Sequence, residues 1–479
     1  MTGQLAQDDA GKKLLCGEVA LKVTDQIASS SLENLGYKPQ FRRVLKLRDL
    51  IIYGLVILTP TAPYPVYGII QDTSLGHAAL AYLVAMVAML FTAASYGKMS
   101  GAYPAAGSTY TYAQRALNEH IGFVAGWSMM LDYFLIPLLS VIYSALIAAR
   151  YVPQIPYLAW ALFFTVAITL INIRGISMTA RASKVMMVIL SFSAILFVVL
   201  AVHVVVGGQG WSGLVAPHAV YNPATFELRP MMLGAGIATL SYIGFDAVST
   251  LAEDVENPEK NVAIATVSVC IIQALFCVVQ VYLAELVWPN YHTFPKIDTA
   301  ILDIGRVLGG PVMMGWITFV LLVAGLASAL TGQAGASRLL FGMGRDGVIS
   351  RKVFAYVDEK YSTPTRSIYV MGAITLIGAV LIRFQLAVEL LNFGAFVGFI
   401  LVNLSVIRHY YLRRRERSGM AFLTNLIFPA LGALVCGYVW MSLSTPAKIV
   451  GFIWLGLGII YLAYLTRGFS RSPVKLEIS

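Results

Sequence analysis

Of the 479 residues, 58% are hydrophobic and only 12% are charged, with a mean hydropathy of +0.75. Those values exclude a soluble globular domain and put most of the chain in lipid. The net charge of +10 does not indicate a nucleic-acid partner, because Lys and Arg collect in loops and none falls in the middle of an apolar run.

Apolar runs of about 20 residues, the length that crosses a bilayer core, recur about twelve times: near 49–71, 78–97, 122–149, 157–173, 185–206, 231–252, 263–287, 312–337, 367–382, 388–407, 422–443 and 447–466. Alternate loops carry most of the basic residues. One set includes Arg42, Arg43, Lys46 and Arg48 near the start and Arg408, Arg413, Arg414, Arg415 and Arg417 later; the other holds only Arg150, Arg229, Lys296, Arg306, Arg383 and Lys448. That asymmetry predicts both termini in the cytoplasm of a multi-pass membrane protein. Residues 1–45 are polar, lack the apolar core of a secretory signal, and read as a cytosolic tail.

Span one contains LTPTAPYPVYG, with Pro60, Pro63 and Pro65 where a helix interior least tolerates them. Each proline lacks an N–H, so the carbonyls of Val56, Thr59 and Thr61 lose their helical donors. In lipid such groups must face protein, water or a ligand. The stretch is rich in acceptors and poor in donors, which suits an ammonium or small cation better than an anion. Thr59 and Thr61 add hydroxyls, Tyr64 and Tyr67 aromatic faces, so Thr59, Pro60, Thr61, Ala62, Pro63, Tyr64 and Tyr67 form one half of an expected substrate site.

Span three carries Asp132 in GWSMMLDYFLIP, with Ser128 a turn earlier and Pro137 freeing the Tyr133 carbonyl. An unpaired carboxylate at that depth is protonated or pairs with an amine or cation; the bland alternative is a structural hydrogen bond to Trp127 or a backbone amide. Span six, MMLGAGIATLSYIGFDAVSTLAED, is interrupted at Ser241, Tyr242, Ile243, Gly244, Phe245 and Asp246. Ser241, Tyr242, Gly244, Phe245 and Asp246 are expected to form the other half of the site. Asp246 begins a polar stripe with Ser249, Thr250 and Glu253, spaced along one helical face. Asp246 reads equally as a functional acid and as the cap of the second half-helix. Asp132, Asp246 and Glu253 are the candidates for coupling or charge balance. Glu285 and Glu389, near span ends, read as solvated. In span eight, AGLASALTGQAGAS reads as a close-packing surface from which Ser328 and Thr331 can line a pathway.

The four cysteines, Cys16, Cys270, Cys277 and Cys436, form no framework and read as small hydrophobes. The six histidines are scattered. No metal, cofactor or catalytic centre is expected, so an embedded enzyme is disfavoured. A sensor on the same fold would carry a long signalling extension, whereas about a dozen residues follow Arg467. A channel would pass solute without gradient coupling.

Two interruptions at matched depth, five spans apart, predict an all-α membrane fold built as a 5+5 inverted repeat with discontinuous helices one and six, plus two further C-terminal helices. The expected division is a tail over 1–45, a transport core over 46–410, and helices eleven and twelve with a short C-tail over 411–479.

Several stretches carry a resemblance. SYIGFDAVSTLAEDVENPEKNVAIA is similar to the sixth-helix signature of the amino acid, polyamine and organocation permeases, and YGKMSGAYPAAGSTYTYAQRAL to the end of their second helix. The TP…YG spacing of span one, GWSMMLDYFLIP, RLLFGMGRDGVIS and LLNFGAFVGFILVNLSVI resemble the bacterial putrescine-importer branch. The resemblance covers about residues 40–470. It implies the LeuT-type inverted-repeat fold, a central site between spans one and six, and uptake driven by the proton gradient. The chain departs from the pattern in three places. Amino-acid members place Gly-Ser-Gly where this chain has TPTAP, putrescine-branch members carry an acid where Pro65 stands, and many proton-coupled relatives have a lysine midway along span five, where VMMVILSFSAIL is apolar with Lys184 only at its start. The expected function is a secondary transporter importing a polyamine such as putrescine, or an amino acid, by proton symport with alternating access. The alternatives are an amino-acid-specific permease or exchanger and, more distantly, a non-transporting sensor. The expected partners are the substrate, a proton and the bilayer.

Overall fold

The computed structural model describes residues 45–104, 108–174, 177–250, 252, 255–345, 349–358, 361 and 363–470. These are almost wholly helical; the β pairing among them is a single bridge between Leu45 and Val255. Among the described residues, nine helices are long and apolar enough to cross a membrane, and Thr365–Leu381 is a shorter apolar one. Two further spans are broken, which completes the twelve expected from the sequence.

The first broken span is α1 (Leu47–Leu58) followed by α2 (Tyr67–Thr73), and the other is α8 (Leu228–Ala238) followed by α9 (Ala247–Thr250). Between them run α3 (Ala78–Ala102), α4 (Ser108–Ala116), α5 (Glu119–Tyr151), α6 (Tyr157–Arg174) and α7 (Ser177–Gln209). After them come α10 (Pro258–Val287), α11 (Ala300–Arg345), α12 (Thr365–Leu381), α13 (Phe384–Val406), α14 (Phe428–Ser442) and α15 (Thr445–Leu465). Within α11 the backbone leaves helical dihedrals at Gly309 and Gly310, which separates a short outlying helix from the span proper.

Burial sorts these helices. The most apolar stretches of α5 and α13 are 72% buried inside the protein, against 17% for α15 and 22% for the span that contains α14. In lipid the apolar effect does not discriminate between neighbours, so close approach does the packing. Gly394 of α13 lies where a Cβ would come 2.5 Å from the Ser128 carbonyl of α5. At the periphery Trp127 and Trp454 stack with centroids 4.9 Å apart, and each indole donates to the other's carbonyl, at 2.9 and 3.0 Å. That reciprocal pair fastens α15 to α5.

Two acids differ from expectation. Glu389 is 1% exposed; its carboxylate accepts the Ser444 N–H at 2.9 Å and the Gln385 amide at 3.1 Å, so it ties α13 to the start of α15. Glu285 is 6% exposed. Nearness to a span end along the chain does not give solvation where neighbouring helices cover that end.

Candidate functional site

Both sequence-predicted interruptions are present, and they face each other across α10. The first runs from Thr59, held at φ +55, to Val66; the other spans Tyr242 to Asp246 around Gly244 at φ +119. A positive φ at Gly244 carries little steric penalty because glycine has no Cβ.

The prolines break the helix as expected, and of protein, water and ligand it is protein that meets the freed carbonyls of Thr59 and Thr61. The chain closes short turns on itself: Ala62 N–H donates to the Thr59 carbonyl, Tyr64 N–H to Thr61 and Val66 N–H to Pro63, at 3.1, 3.1 and 3.2 Å. Neighbouring amides supply the rest. Gln273 Nε2 reaches the carbonyls of Leu58, Thr59 and Ser241 at 3.3, 3.0 and 3.1 Å, and Gln280 Nε2 reaches Pro60 at 2.9 Å. A buried carbonyl without a donor costs on the order of 1–3 kcal/mol, so the fold meets these from within. Gln273 and Gln280 are the residues that the sequence reading missed. Their signal was visible: two amides seven residues apart, hence on one face of an otherwise apolar helix.

Side-chain acceptors also remain open to a ligand. Gln273 Oε1, Gln280 Oε1, Asp132 Oδ1 and the Tyr64 hydroxyl are buried and find no hydrogen-bond partner among the described residues. Asp132 is 4% exposed. The indole of Trp127 is engaged with Trp454, so it does not satisfy Asp132. Asp132 and Asp246 lie within electrostatic range of each other, which places span three and the span-six break in one region. Asp246 is half-buried; its carboxylate accepts the Gly244 N–H at 3.2 Å, and its carbonyl accepts the Ser249 N–H and hydroxyl at 2.9 and 2.6 Å. It thus orders the loop before α9. Glu253 lies outside the described residues, as do the side chains of Thr250, Thr331 and Lys184.

The aromatic candidates have structural partners. Tyr242 is fully buried and its hydroxyl donates to the Tyr82 carbonyl at 3.1 Å, while the Tyr82 hydroxyl is bonded to Ser241 Oγ at 2.9 Å. Phe245 packs against Tyr96 and Phe399, centroids 5.5 and 5.3 Å away. Tyr64 tilts against Phe197 at 5.3 Å, and Tyr67 meets Phe294 edge-on at 6.3 Å. Pro60, Thr61, Pro63 and Tyr64 are buried, with Ala62 half-buried between them. Neither of two sizeable cavities is lined by the two breaks; one, of about 890 Å³, lies by Lys98, Glu259 and Arg414, and the other, of about 500 Å³, lies by Glu285. Among the described residues no group of three His, Cys, Asp or Glu is placed to hold a metal.

Two broken helices bridged by a third is a transporter geometry, and the comparison with known families decides which. Residues 66–469 match the Amino acid permease family. The chain belongs to that family. This permease is 32% identical to the low-affinity putrescine importer PlaP of Escherichia coli (strain K12), over 91% of this chain and 96% of that one. It is 25% identical to the branched-chain amino acid permease BcaP of Lactococcus lactis subsp. cremoris (strain MG1363), over 89% and 95%. The methylthioribose transporter of Bacillus subtilis (strain 168) is likewise 25% identical, over 88% and 93%. Among solved structures, MhsT in complex with L-phenylalanine superposes with a TM-score of 0.55 at 15% identity, covering 82% of this permease and 97% of MhsT. That likeness establishes the LeuT-type fold for this multi-pass membrane protein.

Proposed function

We propose that this permease is a secondary active transporter that imports an amine-bearing metabolite, a polyamine such as putrescine, across the inner membrane with both termini cytoplasmic. The substrate ammonium sits between the two helix breaks, against Gln273 Oε1, Gln280 Oε1 and the Tyr64 hydroxyl, with Asp132 and Asp246 balancing its charge. The observation that carries this reading is the state of the span-one break: the N–H groups of Ala62, Tyr64 and Val66 are already engaged by the segment's own carbonyls, and its other positions include three prolines. A substrate carboxylate needs such donors, whereas an ammonium needs the unpartnered acceptors that remain. The putrescine importer at 32% identity supports the same choice.

Transport follows alternating access, coupled to an inward proton. Tyr64, Tyr242 and Phe245 at the breaks are buried, and rocking of the bundle about them opens one face at a time. Uptake of radiolabelled putrescine against a panel of amino acids, in proteoliposomes with and without an inward proton gradient, tests this. Gradient-dependent amine uptake is expected; uptake of amino acids alone would replace the reading with that of an amino-acid-specific permease.

A further inference from the structure

We propose that Glu285, with Tyr67 and Gln71, forms an ammonium-binding station distinct from the central breaks, at the opposite end of the protein from the Arg413–Arg417 cluster. This rests on the amine reading above. The placement follows from α10 itself. Glu259 in its first turn borders the cavity that Arg414 lines, and Glu285 lies 26 residues further along the same helix, about 39 Å at 1.5 Å per residue.

Glu285 borders a cavity of about 500 Å³ whose other lining residues include Gly76, His218, Asn222, Tyr291 and His292, with no Lys or Arg among them. Its carboxylate is thus in a pocket without a lysine or arginine to pair with. Glu285 is 6% exposed, and its Oε2 has no hydrogen-bond partner among the described residues. Two more unpartnered groups face it from α2. The Tyr67 hydroxyl, on a residue 1% exposed, and Gln71 Nε2, on one fully buried, both lie near Glu285, the phenol within range of its charge and the amide beside its carboxylate. The other end of the Gln71 amide is fixed, since its Oε1 accepts the Ala78 N–H at 3.1 Å.

Three buried polar groups without partners, gathered around a carboxylate that borders a cavity, call for an occupant. The carboxylate and the phenol oxygen accept, and no Lys or Arg lines the cavity, so the occupant is a cationic donor. A primary ammonium fits: its three N–H donors meet Glu285 Oε2 and the Tyr67 oxygen, while Gln71 Nε2 donates to the carboxylate that the ammonium draws into place. Tyr67 is also the first residue of α2, directly after the span-one break, so the station lies between the cavity and the central site.

The test compares wild type with Glu285→Gln and Glu285→Asp in proteoliposomes, with monodispersity in detergent as the folding control and labelled putrescine as the probe. Glu285→Gln keeps the shape and removes the charge. Its KM for putrescine is expected to rise by about tenfold or more, equivalent to about 1.4 kcal/mol, with Vmax nearly unchanged and Glu285→Asp in between. An unchanged KM alongside intact wild-type uptake overturns the station and leaves the transport reading standing. An unchanged KM with a flattened pH profile overturns it in favour of proton carriage by Glu285. If wild type takes up no amine at all, the transport reading fails first, and the station with it.

Discussion

Gln273 Nε2 donates to the Thr59 carbonyl at 3.0 Å, and the same nitrogen lies 3.1 Å from the Ser241 carbonyl. One side-chain amide therefore bridges the ends of both broken helices. Replacing it with the similarly sized Gln273→Leu removes the donor while leaving little cavity, so the loss is mainly that of the Leu58 and Ser241 carbonyls left without this donor, each on the order of 1–3 kcal/mol, while Thr59 keeps the Ala62 N–H. The variant is expected to melt at a lower temperature in detergent than wild type and to lose most uptake. A variant that transports normally would show that the two breaks need no common tie.

Asp246 offers a substitution that separates charge from geometry. Its carboxylate accepts the Gly244 N–H, and the carbonyl oxygen of an asparagine can still accept that bond. Asp246→Asn is therefore expected to keep the loop and the fold but to abolish amine uptake, because the countercharge is gone. Thermal stability within about 1 kcal/mol of wild type, measured beside uptake, checks both halves. Normal uptake would remove Asp246 from the site.

The interruptions were legible in the sequence because proline fixes its own φ and deletes a donor whatever surrounds it; Pro60, Pro63 and Pro65 announce a break without help from tertiary structure. What satisfies the freed carbonyls was not legible. That depends on which face of α10 meets the break, a property of helix packing, so Gln273 and Gln280 passed as ordinary residues of an apolar span. The same limit explains Glu285 and Glu389, whose burial depends on neighbours hundreds of residues away or on a covering loop. Phe245 was rightly placed in the span-six break, yet its ring packs against α3 and α13, a detail that the order of residues in GFD does not contain.

Gly244 tests whether the span-six break depends on its backbone. At φ +119 the residue is in a region that a side-chain-bearing amino acid enters only at a cost of about 1–3 kcal/mol. Gly244→Ala is expected to be less stable by that order and to shift the loop that positions Asp246, lowering transport rate more than protein yield. Uptake at saturating substrate, normalised to protein reconstituted, reads the effect; wild-type rates would mean that the loop relaxes without consequence for transport.

Away from the site, Arg150 at the end of α5 reaches across to the start of α11. Its Nη2 lies 2.5 Å from Asp303 Oδ1, and its Nη1 donates to the Thr299 carbonyl at 3.0 Å and to the Thr299 hydroxyl. The two charged side chains are only 12% and 10% exposed. Screening by water is weak there, so removing one partner strands a buried charge, which costs roughly 3–5 kcal/mol. Arg150→Met and Asp303→Leu are each expected to lower the melting temperature markedly, while the double variant recovers much of the loss because neither charge is left alone. If the double variant is as unstable as the sum of the singles, the pair does not act as a unit.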